Sequence, residues 1–392
     1  MKPAFVMFTG LAMQAAAADF ELGGEIRTDL ETFQNRNWDP ADDDGYYLHR
    51  IWLQTRWELS EQMTLHIDPI HALSWEKNDV SPVDEDRLAF QGLNLQYENA
   101  VHRFTLGRQA VQFGSQRLVS AREGPNVPRA FDGIRHRFSG DQFVMDSFYL
   151  REVRAQRYEF DNPVFEDEAQ LWGIYASIRL PEGTLEPYYL GTEQKDDRHT
   201  FGLRYAGERG ALDWDLEGIG QIGNDIRAWS VARDIGYTFD DIPMTPRLGV
   251  KASISSGDQD DTARNETFSP LFPKGDYFSE SATIGPSNHI ELHPTLKLNI
   301  AESTTVFVQY AALWRQSSGD DIYDVSGTVI REAGADDGRF IGQEISLTLA
   351  HEINDRLDIE VAASYFKPDS AIEDTGTSES IRFGKVSLTW HF

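Results

Sequence analysis

Ten arginines fall between residues 101 and 157: Arg103, Arg108, Arg117, Arg122, Arg129, Arg135, Arg137, Arg151, Arg154 and Arg157. A guanidinium stays charged at any relevant pH and grips a carboxylate through two parallel hydrogen bonds. Arginine at this density therefore suits recognition of an anion. With basic residues elsewhere, the candidate binding set is Arg50, Arg56, Arg108, Arg117, Arg122, Arg129, Arg135, Arg137 and Lys251. Covalent chemistry is poorly supplied. His66, Asp68 and His71 have a spacing seen among metal ligands, but on an extended strand residues 66 and 71 point to opposite faces, so no metal site is expected. His289, Glu291 and His293 share a face and suit polar filling of an interior. No nucleophile elbow, zinc-protease helix or phosphate loop occurs, and the expectation is no enzyme and no cofactor.

Strands must position these arginines. Beyond residue 18 nothing approaches the roughly 20 consecutive apolar residues of a transmembrane helix. Many segments instead alternate strictly: Val386, Leu388, Trp390 and Phe392 share one face, while Lys385, Ser387, Thr389 and His391 share the other. A tilted membrane strand has this pattern, one face for lipid and one for a polar lumen. Eighteen segments are expected: 20–34, 46–59, 63–77, 87–99, 101–113, 131–139, 141–153, 168–180, 183–194, 198–208, 211–224, 226–239, 244–258, 288–301, 303–317, 339–353, 356–369 and 380–392.

Tight connections alternate with mostly longer ones at 35–45, 78–86, 114–130, 154–167, 259–287, 318–338 and 370–379. The fold class is therefore all-β, a transmembrane antiparallel barrel with short periplasmic turns and long extracellular loops. Two connections on the long side, near 195–197 and 225, are short, so one strand pair there is the least secure. Residues 1–18 read as a secretory signal peptide, with Lys2, an apolar stretch from Pro3 to Met13 and a small-residue site at Ala15 to Ala18. Residues 19–392 read as one barrel domain. The last strand, ending on Phe392, is similar to the signal recognised by the bacterial barrel-assembly machinery.

The net charge of -28 opposes a nucleic-acid partner. Acids cluster in loop segments such as Asp42 to Asp44, Asp84 to Asp86, Glu166 to Glu168, Asp258 to Asp261 and Asp336-Asp337. They read as solvated tips, with Ca²⁺ bridging among themselves or to lipopolysaccharide phosphates as the sharper alternative.

The segment from Gly107 to Arg137 resembles the alginate export family. Gly107-Arg108-Gln109 matches its strand end, Asn126-Val127-Pro128-Arg129-Ala130-Phe131-Asp132-Gly133 its following element, and Ser269 to Gly275 its later loop. The resemblance implies an eighteen-strand outer-membrane barrel that passes an anionic uronate polysaccharide such as alginate, together with periplasmic export partners.

Alternation with Ile134 and Phe138 sends Arg135 and Arg137 into the lumen. Loop 114–130 is long enough to fold inward as an arginine-bearing constriction. Arg108 has ambiguous parity, since Phe104 and Leu106 share it; a bulge near Gly107 would resolve this. Trp52, Tyr175 and Phe366 have lumen parity and are candidate sugar platforms. The expected function is passive passage of an acidic polysaccharide or its oligosaccharides. The alternatives are a general or small-anion porin and, from other classes, an outer-membrane hydrolase or a surface adhesin.

Overall fold

The computed structural model describes residues 19–164, 169–194, 196–259, 264–275, 280–334 and 338–392. The signal-peptide reading and the clusters Glu166 to Glu168 and Asp336-Asp337 lie outside the described residues, as does part of the cluster at Asp258 to Asp261. The strands are β1 (Phe20–Gln34), β2 (Asp44–Ser60), β3 (Met63–Trp75), β4 (Asp86–Glu98), β5 (His102–Gln109), β6 (Phe131–Ser139), β7 (Phe143–Glu152), β8 (Gln170–Leu180), β9 (Gly183–Glu193) and β10 (Asp197–Arg209). They continue as β11 (Leu212–Gly223), β12 (Ile226–Thr238), β13 (Arg247–Ser255), β14 (His289–Ala301), β15 (Thr304–Arg315), β16 (Ile322–Tyr323), β17 (Val329–Arg331), β18 (Phe340–Asn354), β19 (Leu357–Pro368) and β20 (Ile381–His391).

Eighteen of these form one antiparallel sheet in which each strand pairs with its neighbour along the chain. β1 pairs with both β2 and β20, and Gly24 and Phe392 exchange backbone hydrogen bonds at 3.1 Å, so the sheet closes on itself. Closure leaves no strand edge in the membrane, where an unpaired backbone group would cost several kcal/mol. Both connections that looked too short for the long-loop side are genuine: β9 leads to β10 and β11 to β12 through tight turns.

Alternation decides the faces. Leu106, Ile134, Val231, Leu248, Ile345 and Leu388 stand exposed on the outside, while Asp29, Arg50, Thr105, Gln221, Ser230 and His293 are buried inside. Aromatic contacts such as Phe20 with Trp57 and Trp314 with Phe340 mark the two rims of the apolar band.

Three segments depart from the expected pattern. The hairpin of β16 and β17 and the short helix α1 (Ser370–Glu373) fall inside expected loops, where they pack Ile322, Ile372 and Ala371 against Trp38 and Phe366. β5 ends at Gln109 instead of running to residue 113, so the inward loop begins at residue 110. Arg108 turns inward without an inserted residue, because the β5 to β6 ladder is unbroken and Gly107, at φ 118°, pairs with Gly133, at φ 155°. This left-handed backbone lets Arg108 and Gln109 both be buried after the outward Leu106.

A Cβ at Gly107 would sit 2.4 Å from the Leu93 carbonyl. Gly107→Val is therefore expected to cost about 3 kcal/mol or more, from disfavoured φ plus the clash. The check is the urea midpoint of refolding into lipid vesicles, which should fall clearly; an unchanged midpoint would mean that the ladder tolerates a side chain there.

Candidate functional site: the arginine-lined lumen

Residues 110–130 leave β5 and cross the lumen. Near their start, Phe113 stacks on Phe148 and Tyr175 at 5.1 and 4.7 Å, and the Ser115 hydroxyl donates to Glu217 at 3.2 Å. The middle runs parallel to a second inward segment, described over residues 264–275: Val119 bridges Phe272, and the Ser120 amide donates to the Phe272 carbonyl at 2.9 Å.

The far end reaches β1 to β3. There the Asn126 amide donates to the carbonyls of His49, Leu73 and Asp84 at 3.2, 3.0 and 2.8 Å. In an eighteen-strand ring, β8 to β11 stand across from β1 to β3, so the loop spans the bore and narrows it.

Two guanidiniums hold that far end. Arg27 donates to the carbonyls of Glu123, Gly124 and Pro125 at 3.0, 2.9 and 3.0 Å and pairs with Asp29 at 3.1 Å. Arg50 donates to the carbonyls of Glu123, Pro125 and Asn126 at 3.2, 3.1 and 3.4 Å, and its Nε to Glu25 at 2.7 Å. Arg50 is 2% exposed, and these partners offset the cost of burying its charge. Arg50 is thus placed as an anchor of the loop.

The other expected site residues divide in the same way. Arg108 makes a bidentate pair with Asp132, 2.9 Å at each nitrogen, and donates to the Pro163 carbonyl at 3.0 Å. Arg117 lies 3.4 Å from Glu217. Arg129 pairs with Glu152 at 2.7 Å, donates to the carbonyls of Ser120 and Pro273, and lies over the Phe272 ring, tying the two inward loops together. Lys251 is buried on β13 opposite His293. Arg56 sits toward the short-turn end of β2 with Glu58 and Glu21.

Among the expected site residues, surplus positive charge remains at two places. Arg135 and Arg137 share one carboxylate, Asp146, at 2.7 and 3.0 Å. Arg122, on the inward loop, makes no side-chain hydrogen bond or ion pair with a described residue, and its Nε is buried without a partner. Burial, reinforced by the neighbouring Arg129, lowers the Arg122 pKa to about 10, so the group keeps its charge at physiological pH.

Arg135 and Arg137 line a cavity of about 210 Å³ with Arg103, Trp52, Gln91 and Asn94. The inward amides on β4 were missed from the sequence: Asn94 is out of phase with the outward Leu93 and Tyr97, whereas Gln91 shares their parity and comes inward only through the register break opposite Asp68 and Pro69. Of the three candidate platforms, Trp52 lines this cavity, whereas Tyr175 and Phe366 are packed beneath loop residues. The Glu291 carboxylate lies 3.3 Å from His289 and 3.1 Å from His293, and it accepts from Ser253 at 2.6 Å. Among the described residues no group of three or more His, Cys, Asp or Glu side chains is arranged to hold a metal.

A sequence model of the family described as alginate export matches residues 19–385. No curated protein sequence matches the chain. Solved structures that share the fold include three from one bacterium. Pseudomonas aeruginosa OccK8 (OprE) is 14% identical with a TM-score of 0.67, covering 95% of this chain and 98% of its own. Pseudomonas aeruginosa OpdQ is 12% identical with a TM-score of 0.69, covering 95% and 97%. Pseudomonas aeruginosa OccK2 (OpdF), in complex with glucuronate, is 12% identical with a TM-score of 0.66, covering 95% and 98%.

Proposed function

We propose, for a chain that belongs to the alginate export family, that its barrel passes an anionic uronate polysaccharide, or its oligosaccharides, across the outer membrane. The chain is an outer-membrane channel protein, and the cargo is what the lumen must explain. The observation that carries the reading is the uneven pairing of its arginines. Among the candidate site residues most are neutralised by acids or consumed as loop anchors, which leaves Arg122 and the Arg135 and Arg137 pair with charge to offer. A uronate carboxylate fits a guanidinium fork, a sugar face fits Trp52, and sugar hydroxyls fit the amides of Gln91 and Asn94.

The whole chain is acidic, so the positive field must be local, and the low dielectric of the walls strengthens it there. A few weak sites in series suit conduction better than one tight site, because cargo must also leave. The lumen cations serve passage in either direction, and no step consumes energy.

A small-anion porin is the second reading, favoured by the glucuronate bound to the structurally similar OccK2 (OpdF) and by a cavity smaller than drug-sized ligand pockets. Flux into vesicles carrying the barrel separates the two. Long uronate oligomers should enter faster than neutral glucan oligomers of equal length. Entry of single uronate sugars with exclusion of longer chains would favour the small-anion porin. Trp52→Leu is expected to slow oligomer entry about ten-fold, the loss of roughly 1 to 1.5 kcal/mol of ring contact.

A further inference from the structure

The outer wall carries a charge that the channel does not use. Arg233 lies on β12 with its side chain exposed, in phase with the outward Val231 and Ile235 and out of phase with the buried Ala232. Its side chain makes no hydrogen bond or ion pair with a described residue. Trp229 and Tyr237, both exposed on the same face, stand four residues to either side, so Arg233 falls midway between rim aromatics.

The cross-strand register places it independently. A row of directly paired residues runs Tyr205, Leu216, Arg233, Ala252, Leu292 and Ala312. It starts at an aromatic of the short-turn rim and ends two residues below Trp314 on the long-loop side. Arg233 is the third member, slightly nearer the periplasmic rim.

A guanidinium on the lipid face at this depth is destabilising unless an anion meets it. The neighbouring strands offer none: β11 presents Leu216, Gly218 and Gly220 outward, and β13 presents Val250 and Ala252. A second copy meeting this face about a two-fold axis would set Arg233 against Arg233. We propose that Arg233 is a lipid-binding residue that draws the phosphodiester of a periplasmic-leaflet phospholipid down to the barrel wall.

The reach is sufficient. Tyr237 marks the interface about 10 Å below, from roughly 3.3 Å per residue along a strand tilted by roughly 40°. A long arginine side chain snorkels across most of that, and local thinning of the bilayer closes the remainder. Gly218 and Gly220 add a shallow trough beside β12, since a Cβ at either would meet nothing within 4 Å, and an acyl chain can lie there.

The test uses the full-length barrel, delipidated in detergent and titrated with phosphatidylglycerol under native mass spectrometry. The wild type should show one more tightly held lipid than Arg233→Leu, with the bound fraction falling at least three-fold in the variant. Arg233→Lys should retain an intermediate fraction, and Arg233→Leu should leave polyuronate transport unchanged. Equal lipid occupancy in wild type and Arg233→Leu would overturn the proposal. So would a photo-crosslinker at position 233 that captures protein and no phospholipid in native membranes.

Discussion

Replacing Arg27 and Arg50 together by glutamine is expected to release the inward loop. The two guanidiniums supply six hydrogen bonds to the carbonyls of residues 123 to 126, and each also neutralises a wall carboxylate. Removing one partner of a buried ion pair costs about 3 to 5 kcal/mol. If only about 3 kcal/mol of the combined loss falls on the loop, the detached population rises about a hundred-fold.

The chain has no cysteine, so Val127→Cys, at a position 1% exposed, gives a unique reporter. Its rate of labelling by a water-soluble thiol reagent should rise about a hundred-fold in the double variant, and single-channel conductance should rise with it. An unchanged labelling rate would show that the Asn126 contacts and the pairing with residues 264–275 hold the loop without the arginines.

The second large effect concerns selectivity. Arg137→Gln leaves Asp146 paired with Arg135 and removes only the surplus charge, while Arg122→Gln removes a cation that feels Glu152 and Asp84 at a distance but makes no direct ion pair with a described residue. Each charge-assisted contact is worth about 1.5 to 3 kcal/mol, so each substitution should raise the polyuronate concentration for half-block of current about ten-fold or more. The double variant should compound the two, because the sites are separate. Neutral glucan should be little affected, and the contrast should shrink at high salt, where exposed charges are screened. Parallel loss of block by polyuronate and glucan would point instead to a change in bore shape.

Much of the wall was legible because lipid on one side and water on the other impose period two. Segments such as 380–392 state their faces residue by residue, and the eighteen wall strands follow from counting them. The departures occur where that constraint lapses. At Gly107 a left-handed residue resets the alternation, and only the backbone angle shows that Arg108 joins the lumen. The hairpin of β16 and β17 and helix α1 are too short for periodicity, and they form because the loops bury Trp38 and Phe366.

Among the candidate arginines, parity gave the facing of Arg50, Arg135 and Arg137, but only tertiary contacts distinguish an anchor from a free cation. Arg50 and Arg129 spend their donors on loop carbonyls and acids, whereas Arg122, on the same loop, spends none on a described residue. Arg233 escaped notice because a period-two reading tallies an apolar face as a whole and passes over one exception within it.

The most direct measurement is single-channel current of the refolded barrel in a planar bilayer, with polyuronate added first and then a neutral glucan of equal length. A channel for anionic polysaccharide predicts block by polyuronate at a concentration about a hundred-fold or more below that of the glucan, an advantage of about 2.8 kcal/mol that Arg122→Gln with Arg137→Gln should erase. Equal block by both polymers, or a preference that survives the double substitution, would contradict it.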